Sequence, residues 1–396
     1  MQVVQPEELG FAGERLARIK TKMQSYVDGN KLAGISTLIA RHGKVAHFEH
    51  VGMADIDAGT PISAETIFRI YSMTKPITSV AALILMEEGH FRLSDPVADY
   101  LPEFKDCRVL AAAGVLAKPS QPMTIRHLLT HTAGLSYGFD EYSQIDRLYR
   151  EHGCHVQGFE KTPTLAAWIT AIAQQPLAYH PGTQYRYSVA IDVLGYLVEV
   201  VSGMGLADFL AQRIFAPLGM TDTFFTVPPE KLDRFAANYG PQQGGGLTVI
   251  DAPRESRYAR PTLRPSGGGG LLSTAVDYLR FAQMLLNGGV LNGVQLLGRK
   301  TVELMTTNHL PDGIYVNMDA TVALGMGLGV SVLRDLGKGQ LPGSVGNYGW
   351  GGAANTNFWV DPQEDLLGII MLQFMPSGTY PVVPDFRIMT YAALVD

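Results

Sequence analysis

Cysteine is scarce in this chain: Cys107 and Cys154 are the two present among 396 residues, so no framework of disulfide bonds is expected. Charge is also low, because Asp, Glu, Lys and Arg make up 17% of the residues and the formal net charge is -6. No run of basic residues occurs, which argues against nucleic acid as a partner. The length and the hydrophobic content of 46% predict a large buried core.

Long apolar runs are missing too. No stretch approaches the roughly 18 to 20 apolar residues that a membrane-spanning helix needs. The N-terminal segment from Met1 to Glu8 has neither the basic part nor the apolar part of a secretory signal. These absences predict a soluble, cytoplasmic protein without a membrane span.

Residues 70–76 contain Ser72 and Lys75 in a Ser-x-x-Lys spacing, followed by an apolar, helix-like run that ends at Gly89. Residues three apart lie on one face of a helix, so the Ser72 hydroxyl and the Lys75 amine would be neighbours. A neutral hydroxyl is a poor nucleophile, and an adjacent lysine can activate it or assist a base that does. The motif is short, however, and also occurs by chance.

The predicted elements place strands near both ends of the chain. Residues 12–28 have a helical period, and residues 35–41 and 44–51 form a hairpin around His42-Gly43. Strands return at 327–333, 355–360 and 367–374, and a last helix begins with Asp385 as its N-cap. Further helices are predicted at 124–130, 163–174, 189–201, 206–214 and 275–286.

This order predicts an α+β protein in which one sheet is built from both termini. We place an α/β domain at residues 1–105 and 270–396, and a mainly helical domain at residues 106–269. Glycine clusters at 244–246 and 267–270 are predicted to be turns, since neither is followed by the Gly-Lys-Ser/Thr of a phosphate-binding loop.

A Ser-Lys pair needs a partner, and Tyr187 is the best candidate because it follows the Pro181-Gly182 turn and precedes an apolar helix. A lysine cation at ~4 Å favours a phenolate by roughly 4 kcal/mol at an effective dielectric of ~20. Such a tyrosine could take the Ser72 proton. The alternative is a tyrosine packed at a helix start with its hydroxyl at the surface, and spacing alone leaves both open.

The segment from Tyr348 to Ala353 is predicted to be a glycine-rich strand. Such a strand lets a ligand lie against the backbone, and its N–H groups could face a developing oxyanion. A bend or bulge in the sheet is the other interpretation.

Together, Ser72-x-x-Lys75, Tyr187-Ser188 and Trp350-Gly351-Gly352 resemble, in this order, the motifs of the family VIII carboxylesterases, which are related to class C β-lactamases and penicillin-binding proteins. Segments 127–135 and 217–220 are similar to segments of the same superfamily, and the resemblance extends over about residues 10–390. It implies a β-lactamase/DD-peptidase-like fold with the active site between the two domains.

The resemblance also implies roles for individual residues. Ser72 would be the nucleophile, and Tyr187 would be the general base with Lys75 beside it. The backbone N–H groups of Ser72 and Ala353 would form the oxyanion hole. No metal ion or organic cofactor is implied. The residues implied in substrate binding are Trp350, Gly351, Gly352 and Val189.

Two positions depart from the β-lactamase pattern. Val189 occupies the place of Asn in Tyr-x-Asn, and Trp350 that of Lys in Lys-Thr-Gly. Two polar contacts to a β-lactam are therefore missing, so we predict a serine carboxylesterase that acts on small, short-chain acyl esters. The alternatives are a β-lactamase, a D-amino-acid peptidase or an acyltransferase of the same fold, and a non-catalytic protein that binds a ligand.

Two other patterns compete with this interpretation. Residues 134–138 match Gly-x-Ser-x-Gly, the nucleophile elbow of α/β-hydrolases, which makes Ser136 a rival nucleophile. A helical segment precedes it where a strand is required, so Ser136 is disfavoured.

His127 and His131 are four apart, as metal ligands can be, but the Glu of His-Glu-x-x-His is missing. Capping or packing is predicted for both histidines.

Overall fold

The computed structural model describes residues 2–111, 114–158, 161–316 and 323–396. The strands in these ranges are β1 (Gly34–Arg41), β2 (Lys44–Asp55), β3 (Thr60–Pro61), β4 (Phe68–Arg69), β5 (Val109–Leu110), β6 (Leu116–Ala117), β7 (Asn238–Pro241), β8 (Leu247–Asp251), β9 (Leu272–Ser273), β10 (Val290–Leu291), β11 (Val294–Gln295), β12 (Leu324–Met326), β13 (Ser331–Leu333), β14 (Tyr348–Gly351), β15 (Asn357–Asp361) and β16 (Leu366–Leu372).

The helices of the same ranges are α1 (Gly13–Leu16), α2 (Arg18–Asp28), α3 (Thr74–Glu87), α4 (Ile125–Leu129), α5 (Gln144–Glu151), α6 (Leu165–Ala173), α7 (Ala190–Ser202), α8 (Leu206–Leu210), α9 (Ala216–Leu218), α10 (Ala275–Leu286), α11 (Arg299–Met305), α12 (Leu336–Gly339) and α13 (Val382–Ala392). A 3-10 turn, Tyr71–Met73, leads into α3, and a π-helical turn, Ala211–Phe215, joins α8 to α9.

The main sheet joins the two ends of the chain. Its eight described strands are antiparallel and follow the order β12-β13-β14-β15-β16-β1-β2-β3. The N-terminal β1 pairs with the C-terminal β16, with Leu38 opposite Ile369. The predicted sheet built from both termini is therefore confirmed.

The hairpin between β1 and β2 forms where it was predicted. His42 and Gly43 have φ angles of 53° and 71°, in the left-handed region that two-residue hairpin turns require. Glycine adopts this conformation without strain, and His42 donates its backbone N–H to the Asp365 carbonyl (3.0 Å), which holds the turn against the next hairpin.

Both faces of the sheet are covered. Successive residues of a strand point to opposite faces, so Leu38 joins the larger core and Ile39 the smaller one. Helices α3, α7 and α10 contribute to the larger core, and α2 and α13 to the smaller. Because every residue of α3 from Thr74 to Leu85 is buried, the N-terminus of this helix lies deep in the molecule.

Some local predictions were wrong. Residues 327–333, predicted as one strand, form the turn and second strand of the β12–β13 hairpin, with Gly329 at φ 87°. Asp385 is not the N-cap of the last helix, because α13 begins at Val382, and Asp385 lies in its first turn as the acceptor for the Tyr26 hydroxyl (2.6 Å). Helices α5 and α11 were not predicted at all.

No single helix of the described ranges is long and apolar enough to cross a membrane. The segments Ala190–Ser202 and Leu206–Leu218 reach the required length and composition only as a pair, and the pair is bent by 82°.

Candidate active site

Ser72 lies in the 3-10 turn that leads into α3, and its side chain faces a large cavity. The residue before it, Tyr71, has a φ of 43°, which is unusual for a bulky side chain. Strained backbone of this kind persists only where the surroundings enforce it, and it is frequent at active sites. The bend places Ser72 at the cavity wall while α3 continues into the core.

Lys75 follows one helical turn later and is fully buried. Its ammonium nitrogen donates to Ser72 Oγ (3.1 Å) and to the carbonyl oxygen of Gly268 (2.6 Å). A buried cation is costly unless it is hydrogen-bonded, and these two acceptors hold the amine beside the serine. The neighbourhood predicted from the Ser-x-x-Lys spacing is present in the structure.

Tyr187 contacts the same serine oxygen as Lys75. Its hydroxyl donates to Ser72 Oγ at 2.6 Å, and Lys75 Nζ lies 4.5 Å from the centre of its ring. The tyrosine stands just before α7, which packs against α3. Packing of the two helices therefore brings a hydroxyl, an amine and a phenol together.

Strand β14 forms another wall of the cavity. Trp350, Gly351, Gly352 and Ala353 all line it. A side chain at Gly352 could not be accommodated, because a Cβ there would lie 2.5 Å from the carbonyl oxygen of Ile70. The end of β14 thus packs directly against the backbone just before the nucleophile candidate, which fixes this strand next to Ser72.

Val189 occupies a different position from these residues. Its side chain is completely buried, it is the residue that precedes α7, and it is not among the described residues that line the cavity. Its backbone N–H donates to the Ser136 carbonyl (3.2 Å). A direct contact between Val189 and a substrate therefore has no support in this arrangement.

The cavity has a volume of about 1140 Å³, slightly above the roughly 300 to 1,000 Å³ that is usual for small-molecule sites. Ser72 and Tyr187 open into it, and aromatic side chains dominate the adjoining wall. The Trp350 ring lies 5.8 Å from that of Tyr187, and Tyr137 stacks on Phe139 at 4.8 Å. These rings offer apolar contacts to a ligand near Ser72, and Asp251, Arg257 and Arg387 add charged groups elsewhere in the lining.

Tyr137 is a site residue that sequence analysis missed. Its ring lies 5.0 Å from the ring of Tyr187 and 5.4 Å from Lys75 Nζ. Burial, together with the neighbouring Tyr187, raises the pKa of Tyr137 well above 10, so its hydroxyl stays protonated as a potential donor. Tyr137 occupies a variable position of the Gly-x-Ser-x-Gly motif, in which only Ser136 is a candidate for catalysis.

Ser136 is not placed to act as a nucleophile. It is buried, its hydroxyl donates to Asp146, and it accepts from Arg186 Nε (2.9 Å). No strand precedes the motif in this described segment, and Gly134 and Gly138 adopt positive φ angles in a loop. The serine belongs to a buried polar cluster that fixes this loop below the cavity.

The two histidines have separate roles in packing. His127 completes a capping box at the start of α4, accepting from the Thr124 N–H (3.1 Å). His131 packs 4.9 Å from the ring of Tyr187, and burial and the nearby Lys75 lower its pKa well below 6.5. No group of three or more His, Cys, Asp or Glu suited to a metal ion occurs in the described part of the chain.

The glycine cluster at 267–270 is the second feature that was missed. Gly268 and Gly269 line the cavity, and the Gly268 carbonyl is an acceptor for Lys75. The sequence signal was the unusual run of four glycines shortly before β9, which a turn alone does not need. This segment is part of the site.

Comparison with known proteins gives a consistent picture. The sequence model of the family described as Beta-lactamase matches residues 19–392. Esterase EstB of Burkholderia gladioli is 33% identical over 405 residues, covering 96% of each chain. Monacolin J acid methylbutanoyltransferase of Aspergillus terreus is 30% identical over 350 residues, covering 82% of this chain and 81% of the relative.

A solved structure is similar over nearly its whole length. It is described as EstCE1, a hydrolase with promiscuous acyltransferase activity, and it superimposes with a TM-score of 0.81 at 29% sequence identity. The match covers 96% of this chain and 99% of that one.

Proposed function

This chain belongs to the Beta-lactamase family and is a serine hydrolase of the β-lactamase-like fold, and we propose that it hydrolyses short-chain acyl esters through a Ser72 acyl-enzyme. The observation that carries the proposal is the meeting of Tyr187 Oη and Lys75 Nζ at Ser72 Oγ, at 2.6 and 3.1 Å. A hydroxyl with a base and a cation at hydrogen-bond distance is the arrangement of an activated nucleophile.

In the proposed acylation step Tyr187 acts as a phenolate. It takes the Ser72 proton while Oγ forms a bond to the ester carbonyl carbon. Lys75, 4.5 Å from the tyrosine ring, stabilises the phenolate by its charge. When the tetrahedral intermediate collapses, the bond to the alcohol oxygen breaks and Tyr187 returns the proton to that oxygen.

Deacylation repeats these steps with water. Tyr187 takes a proton from water while the water oxygen adds to the acyl carbon. The bond to Ser72 Oγ then breaks as Tyr187 gives that proton to the serine oxygen. The backbone N–H groups of Ser72 and Ala353 are proposed to stabilise the oxyanion. The position of Ala353 in the cavity wall beside β14 supports this role.

Domain organisation is part of the same proposal. Residues 1–105 and 270–396 form the α/β domain, and residues 106–269 form the mainly helical domain. Support comes from the cavity itself, since Ser72 and Trp350 belong to the first unit and Tyr187 to the second. The active site would then lie between them.

Acyl transfer is the second candidate function. It is favoured by the acyltransferase relative and by the promiscuous acyltransferase activity of EstCE1. An acyl-enzyme can pass its acyl group to an alcohol in place of water, and a cavity of about 1140 Å³ has room for an alcohol beside the acyl group. Hydrolysis and transfer would share Ser72.

The test is a panel of p-nitrophenyl esters, a chromogenic cephalosporin, and a fluorophosphonate label located by mass spectrometry. Ester turnover with the label on Ser72 is expected. Product analysis with added alcohol separates hydrolysis from transfer. Absence of both turnover and labelling would indicate a non-catalytic binding protein.

A further inference from the structure

Asp192 is a buried aspartate in the first turn of α7 to which the proposed mechanism gives no part. Its Oδ1 accepts from Ser266 Oγ (2.5 Å) and from the backbone N–H of Gly268 (2.9 Å). Its Oδ2 is buried without a hydrogen-bond partner among the described residues. A buried carboxylate oxygen without a donor is destabilising, so a compensating interaction is expected nearby.

The peptide that Asp192 holds is the one that receives Lys75. The Gly268 N–H binds Asp192, and the carbonyl of the same residue accepts from Lys75 Nζ at 2.6 Å. One residue earlier, the Gly267 carbonyl accepts from Thr78 Oγ1 (2.8 Å). Residues 266–270, here called the glycine loop, are therefore clamped between α3 and α7.

Close packing leaves no room for side chains at Gly267 and Gly268. A Cβ on Gly268 would lie 2.4 Å from Asp192 Oδ2, and one on Gly267 would lie 2.9 Å from the Ile191 carbonyl oxygen. Only glycine fits at either position. The Gly268 peptide is held on both sides, by Asp192 at its N–H and by Lys75 at its carbonyl oxygen.

Charge gives Asp192 a second effect on Lys75. The acceptors of the Lys75 ammonium, Ser72 Oγ and the Gly268 carbonyl, are both neutral. Burial raises the pKa of Asp192, whereas the charges of Lys75 and Arg264 favour its ionised form. The other titratable groups that face this cluster are Tyr137, Tyr185, Tyr187 and His131.

From this geometry we infer that Asp192 is a positioning residue for Lys75. Its carboxylate fixes the Gly268 peptide that receives the ammonium, and its negative charge acts electrostatically on the same ammonium. The inference rests on the proposed roles of Lys75 and Tyr187, because Asp192 acts through them and does not touch the substrate.

The variant D192N separates the two effects. Its side-chain oxygen can still accept from Ser266 and Gly268, but the negative charge is gone. Both Lys75 and Tyr187 should then release their protons at lower pH, because a negative neighbour favours the protonated form of each. The midpoint of the rising limb of kcat/KM against pH should move down by about one pH unit. D192A, which also frees the loop, should lose at least tenfold in kcat.

The matched control is D277N. Asp277 is also a buried aspartate in the first turn of a helix, and burial raises its pKa too, but its partners Thr223 and Asp222 lie away from the cavity lining. D277N should lower the melting temperature without moving the midpoint. An equal loss of stability in both variants, with the midpoint unchanged in D192N, would show a purely structural role and overturn the inference.

A spectroscopic readout keeps this test independent of turnover. The ultraviolet absorbance of tyrosinate, titrated in the wild type and in Y187F, isolates the ionisation of Tyr187 by difference. D192N should move that ionisation to lower pH even if Ser72 proves not to be the nucleophile, which S72A tests separately. If D192N does not fold, S266A removes one donor to the carboxylate. It should give a smaller shift in the same direction, and no shift would count against the inference.

Discussion

Tyr187 Oη donates to Ser72 Oγ at 2.6 Å although 115 residues separate the two in the chain. Lys75 binds the same oxygen from within the helix. The contact links the segment before α7 to the N-terminus of α3, so the reactive group depends on how these two helices pack.

Ser72→Ala should abolish nearly all ester hydrolysis, by as much as ~10⁶-fold in kcat, as for other serine nucleophiles. Ser136→Ala should keep most of the activity, because Ser136 is enclosed by Asp146 and Arg186. Initial rates with p-nitrophenyl butyrate measure both. An active S72A together with an inactive S136A would refute the assignment of the nucleophile.

Lys75 and Tyr187 should behave as one unit. Tyr187→Phe and Lys75→Ala should each lower kcat/KM by orders of magnitude, because both groups contact the same hydroxyl. The double variant should lose little more than the worse single variant, as residues that act together are not additive. A double-mutant cycle in which the two losses simply add would contradict this coupling.

β-Lactams should be poor substrates. In the motif resemblance Trp350 takes the place of the lysine of Lys-Thr-Gly, and an indole offers one N–H and no charge. A lost hydrogen bond to a charged group costs roughly 1.5 to 3 kcal/mol, or about ten- to over a hundredfold. Short-chain esters should exceed a chromogenic cephalosporin by several orders of magnitude in kcat/KM.

The matched variant for this prediction is Trp350→Lys. By itself it should not restore β-lactam hydrolysis, since the water for deacylation must still be positioned. Comparable kcat/KM for the cephalosporin and for p-nitrophenyl butyrate in the wild type would favour the β-lactamase alternative.

Stability should fall in mild acid. Burial lowers the pKa of His47 and of His127 from 6.5 to about 4. Between these values the unfolded chain binds protons that the folded protein does not, so stability is complete above pH ~6.5 and declines as the pH falls towards 4. Each histidine contributes at most about 3 kcal/mol, at 1.36 kcal/mol per pKa unit.

Urea denaturation at several pH values between 7 and ~4.5 measures this dependence. His47→Gln should make it shallower, because the buried ring, which is bonded to Thr37 Oγ1 (2.8 Å), is the titrating group. His90→Gln, at an exposed ring, is the control. An identical acid dependence in H47Q and the wild type would show that His47 has no part in it.

Local features of the site could be predicted from the sequence. The Ser-x-x-Lys spacing predicts the neighbouring side chains because the helical period is a local property, and the structure places Lys75 Nζ 3.1 Å from Ser72 Oγ. The His42-Gly43 hairpin and the helix at 275–286 were predictable for the same reason, since turn chemistry and apolar periodicity act over a few residues.

Tertiary structure alone decided which distant groups meet. The spacing of the motifs did not decide whether Tyr187 is a catalytic base or a tyrosine with its hydroxyl at the surface. The packing of α7 on α3 brings its hydroxyl to Ser72. Packing also buries Ser136 and Val189, which a motif or an alignment would place in a site.

The glycine loop is the clearest example of contacts that local sequence patterns cannot predict. Asp192 and Gly268 carry no local pattern that relates them to Lys75, because their contacts join segments separated by 76 and 193 residues. Local periodicity determined the helix that presents Ser72 and Lys75. The acceptor for Lys75, the Gly268 carbonyl, is positioned by its packing against Asp192. This packing depends on the relative positions of α3 and α7 in the folded protein.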